Sequence, residues 1–164
     1  MEEHFDVVDE NDRVVGKALR SEVHGKGMWH RAIYVFVFNS QVELFIQQRS
    51  DNKDVEPGLW DCSVTGHPSS GERYDEAAIR EAEEEIGVRI SPIRLFFMKY
   101  GPYQHHVWIY RAEHDGPFTL DPEEVKGGRF ISLKRLEKDM EGNPGKYSPE
   151  FRDIFRRFSE SGFP

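Results

Sequence analysis

The sequence holds a single cysteine, Cys62, in 164 residues. It cannot form an internal disulfide, which sets aside the stapled secreted scaffolds and makes the cytoplasm the expected location. No apolar run approaches the roughly 18 residues of a membrane-spanning helix, so no membrane partner is expected. The first residues, Met-Glu-Glu-His-Phe-Asp, are acidic and lack the positive start and apolar stretch of a secretory leader. Cations are in deficit too: 22 Lys and Arg face 30 Asp and Glu, a net charge of −8. That balance argues against a nucleic-acid polymer as partner, because phosphate backbones are held by clustered cations. Small anionic substrates stay open, since a divalent metal can bridge carboxylates to phosphates. With no internal repeat, low-complexity tract or linker, residues 1–164 read as one domain.

What the chain does have is core material. Apolar residues make up 37% and aromatics 13%, with 12 phenylalanines, enough to fold a soluble domain of this length. Phe5–Val8 and Val14–Ala18 read as short strands around a turn at Asp9–Asp12. Ala32–Phe38 is rich in β-branched and aromatic residues, as a buried strand should be, and Val42–Gln48 follows it across an Asn-Ser turn. Residues 49–71 are broken by Pro57-Gly58, Gly66, Pro68 and Gly71 and read as irregular. Tyr74–Ile86 contains neither Gly nor Pro and predicts a helix that stops at Gly87. Further strands are expected at Val88–Lys99, His105–Arg111 and Gly128–Ser132. Leu133–Met140 and Pro149–Phe158 read as helices, the second capped by Ser148 with proline in its first turn and Glu150 behind it; residues 141–147 read as a loop. The expected class is α/β, a mixed sheet with helices on its faces.

The chemistry concentrates in residues 66–88. On the predicted helix Glu81, Glu84 and Glu85 share one face at i, i+3 and i+4, while Ala78, Ile79, Ala82 and Ile86 can pack on a sheet. Three stacked like charges weaken a helix, so a cation should compensate. Arg73 and Arg80 can offset part of the charge, and a hard cation such as Mg²⁺ or Mn²⁺ suits the remaining carboxylate oxygens. Taken alone, Glu83–Glu85 is also what a solvated helix face looks like. The surrounding spacing sets it apart. Gly66, Glu72, Arg80, Glu81, Glu84, Glu85, Gly87 and a following aliphatic fall at every defined position of the Nudix box. At roughly 6% for each of the seven fixed residues, a chance match in this chain is rarer than about one in a million.

The sequence therefore resembles a Nudix hydrolase. The Gln47-Gln48-Arg49 strand end and the Pro57-Gly58-Leu59-Trp60 approach add to the likeness, which runs over roughly residues 1–135. It implies an α/β/α sandwich around a mixed sheet and a metal-dependent hydrolase of diphosphate linkages, with Mg²⁺ or Mn²⁺ as cofactor. Glu81, Glu84 and Glu85 match the metal-binding glutamates, Arg80 the arginine that orients them, and Glu72 the supporting loop glutamate. The carbonyl of Thr65 is a further candidate ligand. The proton acceptor stays open between the box and Glu123 or Glu124. A non-catalytic nucleotide-binding module on the same fold is an alternative, which loss of box glutamates would signal; none is lost. Many such hydrolases pair, so a homodimer is admitted, although no apolar stripe forces one.

A second resemblance lies in Trp60-Asp-Cys-Ser-Val-Thr-Gly-His-Pro68, which is similar to a segment of type 1 isopentenyl-diphosphate isomerase, a Nudix-fold enzyme. The cysteine that precedes Gly-His-Pro there is Thr65 here, and Cys62 falls three residues early. The isomerase metal ligands would fall at His24, His30 and His67, with its glutamate pair replaced by Gln104 and His106, so that an all-nitrogen site of His24, His30, His67 and His106 is the corresponding candidate. Threonine is too weak an acid to move a proton, so the departure favours hydrolysis. For the substrate, a nucleoside di- or triphosphate is the first expectation and a sugar nucleotide or other diphosphate the next. Arg49 and Lys53 are the candidate phosphate contacts. Tyr103, with Trp29, Trp60 and Trp108, is a candidate for stacking a base or lining an apolar pocket.

Overall fold

A computed structural model describes residues 1–162, so the last two residues of the expected 1–164 domain lie outside the described residues. Its centre is β3 (His30–Phe38), the strand the composition marked as buried. Alternation along β3 divides the core in two. Ala32, Tyr34, Phe36 and Phe38 face one apolar cluster, and Ile33, Val35 and Val37 face the other, as a strand buried on both faces requires. Along one edge β3 pairs in parallel with β8 (His105–Glu113), which sets His30 opposite His105 and Arg31 opposite His106. It also pairs antiparallel with β1 (His4–Val8), β6 (Val64–Gly66) and β4 (Glu43–Arg49). The rest of the mixed sheet is β2 (Val14–Leu19) on β1, β5 (Trp60–Asp61) and β9 (Val125–Ser132) on β4, and β7 (Ile93–Tyr100) on β8.

Helices cover both faces, the sandwich that was expected. The helix α2 (Tyr74–Ile86) buries Ala77, Ala78, Ala82 and Ile86 among Ile33, Val35 and Val64. Opposite it, α3 (Leu133–Gly142) and α4 (Pro149–Glu160) bring Leu136, Met140, Phe151, Ile154, Phe155 and Phe158 onto Phe36, Phe38, Leu44 and Ile131.

Four expectations change. A short helix α1 (Arg20–Lys26) follows β2; its seven residues begin after Leu19, which cannot cap with a side chain, so it carried no start signal. The irregular 49–71 segment contains β5 and β6. The strand expected from Val88 starts at Ile93, after Ser91-Pro92, because proline has no N–H for the ladder. Residues 141–147 are not a free loop: α3 runs to Gly142, a 3₁₀ turn spans Pro144–Lys146, and buried Tyr147 bonds Asp139 and bridges to Trp60. No helix among the described residues is long and apolar enough to cross a membrane.

Candidate active site

Packing of α2 on the sheet turns its glutamates toward a cavity of about 580 Å³. Glu85 lies deepest at 4% exposure, where it accepts from Gln47 Nε2 at 2.7 Å and from the Thr65 N–H at 3.2 Å. Glu81 is partly buried and Glu84 is exposed, and all three line the cavity. Glu83, one position off this face, pairs with Arg89 outside it. The buried apolar set of the helix includes Ala77, while Ile79 is only half-buried.

Arg80 ties the cluster together. Its Nε and Nη2 each donate to Glu72 at 2.8 Å, Nη1 donates to Glu81 at 3.0 Å and Glu84 at 3.1 Å, and Nη2 reaches the His67 carbonyl. A planar guanidinium fork makes such a four-way hold possible. Burial works against the Glu72 charge, yet Arg80 and the Ser69 N–H hold its carboxyl below the usual range. Burial pushes Glu81 up to about 7, with Arg80 opposing and Glu84 adding to the rise. Burial and then Glu81 push Glu85 well above the usual range. Gly66 makes this approach possible: a Cβ there would sit 2.3 Å from Glu81 Cδ.

The other sequence candidates share the same cavity. Arg49 donates to the Val55 carbonyl and pairs with Asp61 at 3.5 Å; Lys53 pairs with Glu124 at 2.5 Å; Tyr103 donates to Glu56. All of these residues line the cavity. Of the two loop acids, Glu124 lines it, while Glu123 is exposed elsewhere. The tryptophans are corrected. Trp29 packs on His106, Trp60 lies under Arg129 and Trp108 under Arg94, and none lines the cavity.

The histidines are brought together in part. His24 from α1, His30 from β3 and His67 after β6 present ring nitrogens within 4.8 Å of one another. His30 Nδ1 donates to the Met28 carbonyl and His67 Nδ1 to the Arg31 carbonyl. A carbonyl can only accept, so both rings turn an unprotonated Nε2 elsewhere, and that of His30 is buried without a partner. His106 does not join them: it turns to the other face, against Trp29 and Phe97. His105 takes its place, 4.7 Å from His30 and 5.1 Å from His67 between ring centroids. A register one residue off moves a side chain through the sheet, and that is the whole of the error. The reading also missed Glu150, whose two oxygens lie 2.8 and 2.9 Å from His105 Nδ1. In the sequence it looked like an ordinary acid at a helix start.

A family model described as the NUDIX domain matches residues 28–151. The chain belongs to the Nudix family. It is 33% identical to an uncharacterized Nudix hydrolase of Pseudomonas aeruginosa, covering 94% of this chain and 92% of that one. It is also 32% identical to an isopentenyl-diphosphate Delta-isomerase of Pectobacterium atrosepticum, covering 94% and 90%. A hypothetical Nudix protein of Deinococcus radiodurans has a crystal structure that matches with a TM-score of 0.82 at 30% identity, over 94% of this chain and 98% of that one.

Nudix enzymes generally use divalent metals, and the α2 carboxylates suit one. Glu81 and Glu85 are acids that burial drives toward protonation, and Glu85 has no basic side chain bonded to it. An all-oxygen donor set of this kind fits a hard cation. The isomerase-like features fit less well. Cys62 is fully buried, with its thiol on the Val35 carbonyl, and burial pushes the thiol well up. Thr65, not Cys62, lines the cavity.

Proposed function

We propose that this Nudix protein is a metal-dependent hydrolase that cleaves a diphosphate linkage in a nucleotide or other nucleoside-diphosphate-type substrate. One observation carries the reading: Glu81, Glu84 and Glu85 converge on the cavity under the four-way hold of Arg80. Mg²⁺ or Mn²⁺ held by these carboxylates would neutralise phosphate oxygens and acidify a bound water. Arg80 fixes Glu81 and Glu84 in place, and Glu72 fixes Arg80. Arg49 and Lys53, which line the same cavity, would attract the phosphates and are held by Asp61 and Glu124. A carboxylate of the cavity would accept the proton; of the two loop acids Glu124 is the candidate, because it lines the cavity while paired with Lys53.

A second reading is isomerase-like, favoured by the His24–His30–His67 cluster and by relatives of that name. Threonine at position 65 and the buried Cys62 weigh against it. A release assay separates the two. Phosphate and pyrophosphate are measured over nucleoside di- and triphosphates and sugar nucleotides, with Mg²⁺, Mn²⁺ or chelator, beside Glu85→Gln. Metal-dependent release abolished by the variant supports hydrolysis. Isomerisation of isopentenyl diphosphate without release would overturn it, and binding without turnover would make the protein a recognition module.

A further inference from the structure

The cavity is also lined by buried polar side chains to which the hydrolytic reading gives no part beyond the hold of Asp61 on Arg49. Glu150, at 2% exposure, and His105, at 8%, form a buried pair from α4 and β8. Beside them stand Asp61 and Ser148, also buried, and the Tyr34 hydroxyl, which faces Glu150. All five line the same cavity as Arg49, Lys53 and the α2 glutamates. A carboxylate has about four lone-pair positions, and His105 Nδ1 answers both oxygens from one side. The Tyr34 hydroxyl donates to the same carboxyl, and His105 and Tyr34 together do not fill its four positions, so the side chain lining the cavity keeps acceptor capacity.

What fills that space meets a strict condition. Asp61 is already answered by the Cys62 N–H and Arg49, so the choice falls on the acceptor capacity left on Glu150. A hydrocarbon group seated there would close it off from water with no hydrogen bond in return, at a cost of about 1–3 kcal/mol. A group bearing hydroxyls, an amine or a ring N–H would satisfy it. Sites built this way reject analogues that lack the polar group much more strongly than apolar pockets reject an extra one.

From this arrangement we infer that Glu150, held by His105, is the specificity determinant of the cavity. It selects diphosphates whose second group hydrogen-bonds, such as a nucleoside or a sugar, and rejects prenyl diphosphates. The inference rests on the hydrolase reading above and adds the residue that selects among diphosphates. Burial moves both members toward their uncharged forms, Glu150 up to about 8 and His105 down to about 3. A pair so placed offers both a donor and an acceptor.

The test measures kcat and KM of the full chain with Mg²⁺ for ATP, CTP, GTP, UTP, UDP-glucose and ADP-ribose against isopentenyl and geranyl diphosphate. Wild type, Glu150→Gln and Glu150→Leu are compared, with circular dichroism to verify folding. Wild type should prefer at least one polar substrate by about 100-fold or more in kcat/KM. Glu150→Leu should erase about 30-fold or more of that preference, chiefly through KM. Glu150→Gln, which keeps shape and one acceptor, should move KM for the polar substrate by about 3- to 10-fold and leave kcat within about twofold. If the leucine variant fails to fold, the Gln shift in KM decides. Equal kcat/KM for both classes, or a preference that ignores folded Glu150 variants, overturns this inference and leaves the hydrolase reading standing. Absence of metal-dependent release from every substrate overturns both.

Discussion

Arg80 grips Glu72 with two parallel hydrogen bonds of 2.8 Å, and that grip leaves its third nitrogen free to span Glu81 and Glu84. Lysine keeps the charge but has no fork, so it can hold Glu72 or the helix glutamates and not both. Arg80→Lys should cut metal-dependent kcat/KM by about 10- to 100-fold, the usual effect of losing a partner that orients metal ligands. Release assays with a metal titration check this. An unchanged metal requirement and rate would mean that the carboxylates orient themselves.

Glu85 couples activity and stability with opposite signs. Its carboxylate is buried, with an amide and one backbone N–H as partners. Glu85→Gln keeps shape and acceptor while removing the charge, so release should fall by about 100-fold or more. In chelator at pH 8 the same variant should melt at or above the wild-type temperature, because folding no longer has to bury that charge or take up a proton to avoid it. Adding Mn²⁺ should then raise the wild-type melting temperature and not the variant's. Glu83→Gln, outside the cavity, should match wild type in all three measurements.

Gly66 sets how close the sheet comes to Glu81. A methyl at that position would overlap the Glu81 carboxyl, whose oxygen would lie 2.5 Å away. Arg80 pins that carboxyl, so it cannot swing aside without breaking the network. Gly66→Ala should cost about 1–3 kcal/mol in denaturant unfolding, the range for overpacking, and should lose activity with it. Normal stability and turnover would show that the carboxyl has a second resting place.

How much of this was legible depends on whether the signal is periodic or spatial. β3 and α2 declared themselves through strand composition and an unbroken helical run, and the box spacing put Glu81, Glu84 and Glu85 on one face. Spacing could not say that Glu85 would be buried and Glu84 exposed, since that follows from how α2 tilts on Val64 and Val35. The choice between His105 and His106 turns on strand parity, which His30 fixes only through its parallel pairing. Glu150 lies 45 residues from His105, and nothing local links them.

Cys62 gives a prediction about chemistry that should not matter. Its thiol faces the Val35 carbonyl in the core, away from the cavity. Cys62→Ala should leave kcat within about twofold while costing about 1 kcal/mol of stability from the small void. Thiol-directed reagents should label the native protein far more slowly than the unfolded chain. Loss of turnover in a folded Cys62→Ala protein would revive a cysteine-based reaction.

Asp61 predicts a pH dependence of stability. Burial lifts its carboxyl from 3.8 to about 6, with Arg49 and the Cys62 N–H pulling back and Glu150 adding to the rise. The folded protein therefore holds a proton that the unfolded chain releases between about pH 4 and 6. Its stabilising effect is complete below pH 3.8 and is lost as pH climbs through 6. At 1.36 kcal/mol per pH unit the change is up to about 3 kcal/mol. Asparagine has no proton to release, so Asp61→Asn should gain up to about that much relative to wild type between pH 4 and 7. Denaturant unfolding of both proteins in chelator, at one-unit steps, measures the difference directly. A difference that stays constant across the range would mean that Asp61 is ionised throughout, with Arg49 compensating its burial in full.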